Sequence, residues 1–120
     1  MKPFEIERID SQENMTILKI QGYIDAHTAS EMENTLSQLL KDNRFQVIID
    51  FSSLEYISSA GLGIFMAFIR LFREKKGDIR MCAMRENVYH IFELLGFPSI
   101  FKIFKTIEEA EKSFTNNQKE

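Results

Sequence analysis

The chain has 120 residues, 44% of them hydrophobic and 28% charged, with a formal net charge of -3. That length suits one compact domain with a real core and no second one, and the composition excludes the disordered and fibrous classes. The slight negative charge offers no footprint for a phosphate backbone, which disfavours direct nucleic-acid binding; the longest apolar run, Leu62 to Ile69, is too short to span a bilayer, so no membrane insertion is expected.

Phe4 to Ile9 mostly alternates polar and apolar, and Met15 to Ile20 repeats the behaviour, so both read as strands joined through the polar loop Asp10 to Asn14. After Gly22-Tyr23-Ile24-Asp25 the period changes: Ala29, Met32, Leu36, Leu39 and Leu40 share one face of a helix that stops near Asp42-Asn43. Val47 to Phe51 is short, β-branched and almost uninterrupted, the pattern of a central strand covered on both faces.

A second helix, Ala60 to Lys76, is apolar on nearly every side over its first turns and ends in Arg70, Arg73, Lys75 and Lys76. Those cations complement the negative end of the helix dipole, and Gly77 suits the position just past its end. Ile79 to Met84 reads as a strand, and Val88, Ile91, Phe92 and Leu95 as the face of a short helix ending at Gly96. A short strand around Ile100 to Phe104 and a helix from Ile107 to Phe114 complete the order. Residues 1–114 thus form one domain and Thr115 to Glu120 a polar, frayed tail. The only cysteine, Cys82, lies in an apolar run with no partner for a disulfide or metal cluster; it reads as a small core residue, and a reduced, cytoplasmic compartment is expected.

Strands alternating with helices give an α/β layered fold, a mixed sheet of four to five strands opened by an antiparallel hairpin, parallel in its central portion and packed by about four helices. In such folds sites form where strands end and helices begin. Two junctions stand out: Gly22 to Ala29, and Ser52 to Gly63, a polar turn leading through Ser58 and Ser59 into a helix whose first turn holds Gly61 and Gly63. The plainest reading of a serine there is an N-cap worth ~1 kcal/mol. Two glycines inside a helix cost ~1 kcal/mol each relative to alanine, which points to close approach of the backbone to a neighbouring strand or to a docking partner.

The stretch Asp50-Phe51-Ser52-Ser53-Leu54-Glu55-Tyr56-Ile57-Ser58-Ser59-Ala60-Gly61-Leu62-Gly63 resembles the signature of STAS domains, particularly bacterial anti-sigma factor antagonists. Gly22, Asp25 and Thr28 match the family's first strand-to-helix junction, and Val88, Ile91, Phe92 and Gly96 its later helix and turn. The resemblance implies a protein-binding module, not an enzyme, without cofactor or metal. Its partners would be an anti-sigma factor that is also a serine kinase, bound so as to release a sigma factor, and a serine phosphatase that reverses the switch. In the family pattern the phosphorylated serine stands two residues before the glycine that opens the helix, which is Ser59. The residue before it is commonly Asp and the one after it Ser or Thr, where this chain has Ser58 and Ala60; Ser58 is the rival acceptor. The implied partner face comprises Asp25, Thr28, Ser58, Ala60, Gly61 and Gly63.

A receiver-like domain, with Asp50 as phosphoacceptor, lacks the acidic pair at its first strand and the lysine closing a later one. A serine hydrolase built from Ser59 with His27 or His90 lacks a nucleophile elbow. A third reading keeps the STAS fold as an accessory or ligand-binding subunit of a transport or sensory complex.

Overall fold

The computed structural model describes residues 3–11 and 13–118. Strands β1 (Glu5–Asp10) and β2 (Met15–Ile24) are followed by helix α1 (Ala29–Lys41), strand β3 (Gln46–Ile57), helix α2 (Ser59–Glu74), strand β4 (Asp78–Cys82) and helix α3 (Glu86–Leu94). A single 3-10 turn (Phe97–Ser99), strand β5 (Ile103–Phe104) and helix α4 (Ile107–Gln118) complete the chain. The sheet runs β1-β2-β3-β4-β5, with β1 antiparallel to β2 and every later pair parallel. The mixed α/β class expected from the alternation of periods is the one found.

β3 is the middle strand, and its alternation divides the interior in two. Val47, Ile49 and Phe51 face the larger core, with Met32, Leu36 and Leu39 of α1, Leu62, Phe65 and Phe72 of α2 and Phe92 of α3. Ile48 faces the other way, into a smaller cluster with Met15, Cys82 and the Ala110 and Phe114 side chains of α4. A strand buried on both faces needs the continuous apolar run that Val47 to Ile49 supplies. On the α4 side a charged pair is buried as well: Arg80 Nε donates to Asp78 Oδ2 at 3.0 Å, Arg80 Nη1 to Ser113 Oγ at 2.7 Å, and the guanidinium lies 4.0 Å from the centre of the Phe114 ring. Arg73 of α2 reaches the other oxygen of Asp78 at 2.9 Å, so the carboxylate joins α2 to β4 and Arg80 carries the link on to α4.

Four local expectations are corrected. Ser52 to Ile57 is strand, not a polar turn: it pairs with an extended β2 through register shifts that turn Leu54 and Ile57 inward, and those shifts erase the simple period of two. At the end of α2 the left-handed position belongs to Lys76, with φ 65°, rather than to Gly77. The Lys76 N–H donates to the Arg73 carbonyl and the Gly77 N–H to the Phe72 carbonyl, a Schellman closure. Gly77 is required for space instead: a Cβ there would stand 2.0 Å from the Phe45 carbonyl oxygen. β5 is confined to Ile103–Phe104 because the 3-10 turn Phe97–Ser99 is carried on by Ile100, whose backbone is helical and whose N–H, like that of Phe101, donates to the Phe97 carbonyl. Finally, α4 ends at Gln118 rather than at Phe114; of Thr115 to Glu120, residues 119–120 lie outside the described residues.

Candidate functional site

The two junctions named from sequence meet at the carboxyl ends of β2 and β3. The Ser58 N–H donates to the Ile24 carbonyl at 2.8 Å, locking the start of α2 to the last residue of β2. Ser58 has an extended backbone, φ -89° and ψ 171°, as an N-cap does; its carbonyl accepts from Leu62 N–H at 3.0 Å and its Oγ from Gly61 N–H at a long 3.4 Å. Ser59 is the first helical residue and is exposed, as is Ala60. No acidic side chain lies in the first turn of α2, so the positive end of its dipole is not offset by a carboxylate on the helix itself. The half-buried Ser58 hydroxyl is used within the fold, whereas that of Ser59 faces solvent.

Asp25 and Thr28 bind each other rather than standing free. Asp25 Oδ1 accepts from the N–H groups of Thr28 at 3.1 Å and His27 at 2.9 Å, and from Thr28 Oγ1 at 3.3 Å. In return the Asp25 N–H donates to Thr28 Oγ1 at 2.9 Å, and that hydroxyl lies 2.9 Å from the Tyr23 carbonyl. The N–H of Thr28, then that of His27, hold the Asp25 carboxyl below the usual carboxylate range. Asp25 and Thr28 therefore close the Asp25–Thr28 turn that leads into α1, whose N-cap residue, Thr28, makes no side-chain capping bond to the helix. Both are only partly buried, so the edge they form is still presented at the surface.

The structure places Gly61 against the chain's own strands. Gly61 is buried, and a Cβ there would lie 2.5 Å from Ile24 Cγ2 and 2.9 Å from Ile57 Cγ1. Its bare backbone admits the side chains of Ile24 on β2 and Ile57 on β3. Gly63 is the opposite case: it is exposed, and nothing stands within 4 Å of the place its Cβ would take. With Ala60 and the exposed Met66 one turn further on, it forms an open, uncharged strip that begins at Ser59. His90 lies on α3 beside Glu93, 3.9 Å away, and neither histidine hydrogen-bonds to Ser59 among the described residues.

One pair was not singled out from sequence. Tyr23 and Tyr56 face each other in register across β2 and β3, ring centres 5.9 Å apart, with Tyr56 45% exposed beside the start of α2. Reading Ser52 to Ile57 as a strand would have found them, since the two positions then fall opposite one another.

A sequence model of the STAS domain matches residues 7–110. BtrV of Bordetella bronchiseptica, a protein named as an anti-sigma factor antagonist, is 30% identical over 106 residues, covering 88% of this chain and 91% of its own. Among solved structures, an anti-sigma factor antagonist from Mycobacterium paratuberculosis superposes with a TM-score of 0.83 at 21% identity, over 92% of this chain and 93% of that one. The Bacillus cell fate determinant SpoIIAA, solved in its phosphorylated form, gives 0.70 at 18% identity over 93% and 99% of the two chains.

Proposed function

Because the chain belongs to the STAS domain family, we propose that it is an anti-sigma factor antagonist whose binding is switched by phosphorylation of Ser59. It acts as a cytoplasmic binding module: unphosphorylated, it holds an anti-sigma factor that is also its serine kinase and so frees a sigma factor, and a serine phosphatase restores it after phosphorylation. The partner covers Ser59, Ala60 and Gly63 together with the rim formed by Asp25, Thr28 and Ser58.

The observation that carries this reading is the state of the two adjacent hydroxyls. Ser58 is held as the cap of α2, while Ser59 projects from the first helical position. A phosphate there brings about -1.5 to -2 charges and three acceptor oxygens to the N–H groups of an unneutralised helix start, so the domain tolerates it. A partner surface packed over the same spot would have to bury that dianion unpaired, a cost of several kcal/mol for even a single ion. Binding is lost without rearrangement of the domain.

The test is copurification from the native cell with and without ATP, followed by phosphosite mapping with the recovered kinase. One phosphate on Ser59 is expected; Ser59→Ala removes it and keeps binding, and Ser59→Asp weakens binding. Phosphate on Ser58 would refute the site, and absence of both kinase capture and phosphorylation would refute the function.

A further inference from the structure

The face of the sheet on which α4 packs is covered over only part of its length. Ala110 and Phe114 of α4 close over Met15, Ile48 and Cys82. Beyond that cluster, toward the carboxyl ends of β2 and β3, come Lys19 and the register pair Gln21 and Ser53, a polar stretch that water can cover. At the far end stand Tyr23 and Tyr56, in register, with ring centres 5.9 Å apart. Neither belongs to either hydrophobic cluster of the core. A cross-strand aromatic pair steadies a sheet modestly, but that gain does not call for a ring left 45% open to solvent, as Tyr56 is.

The backbone ties this pair to the mouth of α2. Tyr56 stands two residues before the cap Ser58 and Tyr23 two residues before Asp25, and the Tyr23 carbonyl accepts from Thr28 Oγ1 at 2.9 Å. The bond from Ser58 N–H to the Ile24 carbonyl then joins the two junctions immediately beyond the rings. From Tyr56 through Ile57, Ser58 and Ser59 to Ala60 the chain carries no charge. Protein interfaces concentrate affinity on such tyrosines, because a rigid ring buries a large area at a small cost in entropy. The uncharged path from the ring to Ser59 fits an apolar contact rather than an ion pair.

We propose that Tyr56, braced by Tyr23, anchors the anti-sigma factor: the partner lays an apolar side chain on the Tyr56 ring while it covers Ser59. The inference rests on the reading that the partner docks at the Ser59 mouth, and it divides the work there. Ser59 switches the contact off, and Tyr56 supplies affinity whether or not a phosphate can be added.

The chain has three tyrosines and no tryptophan, so the full chain grown with 3-fluorotyrosine gives three fluorine resonances, assigned with Tyr23→Phe, Tyr56→Phe and Tyr89→Phe. On titration with the kinase recovered by copurification, the Tyr56 resonance should shift, while that of Tyr89, an exposed tyrosine on α3, should keep its position. This readout uses the natural fold and does not depend on a variant's stability. By calorimetry Tyr56→Ser should weaken binding about tenfold or more, the loss expected when an interface anchor is truncated, and Tyr56→Phe should stay within about twofold. The same tenfold loss is expected in the Ser59→Ala background. Kinase binding that leaves the Tyr56 resonance in place would overturn the anchor and leave the Ser59 reading standing, as would a Tyr56→Ser chain that binds like the natural one. Absence of binding altogether would remove that reading and the anchor with it.

Discussion

Replacing Gly61 by alanine adds a single methyl group at a place where the neighbours are fixed. The new Cβ would stand 2.5 Å from Ile24 Cγ2, 2.9 Å from Ile57 Cγ1 and 3.2 Å from Ile24 Cβ, and both isoleucines are fully buried with little room to turn. Overpacking of this kind costs about 1–3 kcal/mol, offset in part by the helix preference of alanine over glycine, about 1 kcal/mol. Gly63→Ala in the same turn makes the same exchange with nothing within 4 Å, so it collects the preference alone. The difference between the two variants isolates the packing term. For 120 residues the unfolding entropy near the midpoint is roughly 0.25 kcal/mol per kelvin, so Gly61→Ala should melt about 4–12 °C below Gly63→Ala, and Gly63→Ala about 2–4 °C above the natural chain. Calorimetry of the three proteins decides it. If the two variants melted within 2 °C of each other, Gly61 would not be held open by the fold, and its role would return to the partner surface.

Three further outcomes follow from the contacts. Asp25→Asn should lower the melting temperature at neutral pH, because the ionised acceptor of the His27 and Thr28 N–H groups is lost. Its folded pKa is depressed, so the stability it contributes is present above the unfolded carboxylate range and disappears as pH falls through the folded value; the gap between variant and natural chain should close on acidification. Arg80→Met leaves Asp78 buried with only Arg73 as an ionic partner and should cost about 3 kcal/mol, read as a lower urea midpoint at unchanged slope. Burial, followed by the charge of Asp50, pushes the Cys82 thiol up to about 12, so a disulfide thiol reagent at pH 8 should label it only on unfolding, and prompt labelling of the folded protein would contradict that burial.

Much of the fold was legible because its signals are local and periodic. Met32, Leu36 and Leu39 fall on one face of α1 whatever they pack against, and Val47 to Ile49 could only be a strand covered on both sides. What stayed hidden depends on partners distant in sequence. Ser52 to Ile57 looks like a turn from its serines and becomes strand because β2 lends it an edge through two register shifts. Gly77 looks like a helix terminator, yet its reason lies at Phe45, which comes to its side only when β3 and β4 pair. The same holds at the site. The placement of Ser59 at the mouth of α2 follows from the sequence, whereas the mutual hydrogen bonding of Asp25 and Thr28 rests on the geometry of their turn and the inward role of Gly61 on side chains contributed across the junction.

The neighbouring serines raise a last question, why the cap at position 58 is neutral where the resemblance leads one to expect Asp. A carboxylate at an N-cap both accepts the N–H bond and opposes the helix dipole, gaining about 0.3–1 kcal/mol over a neutral cap. Here the Oγ of Ser58 makes only a 3.4 Å bond to Gly61 N–H, and the first turn has no acidic residue, so the helix start keeps its positive character. Ser58→Asp should therefore raise the melting temperature of the unphosphorylated protein by about 1–4 °C at pH 7, a gain that vanishes as pH falls through the depressed pKa of the new carboxylate. A phosphate on Ser59 would then meet an adjacent negative charge in place of an open helix end, and the phosphorylated variant should lose that gain or fall below its unphosphorylated form. Melting curves of both proteins in both states separate the cases. If phosphorylation shifted the natural chain and Ser58→Asp equally, the helix end would not be what accommodates the phosphate, and the tolerance of the domain for it would need another source.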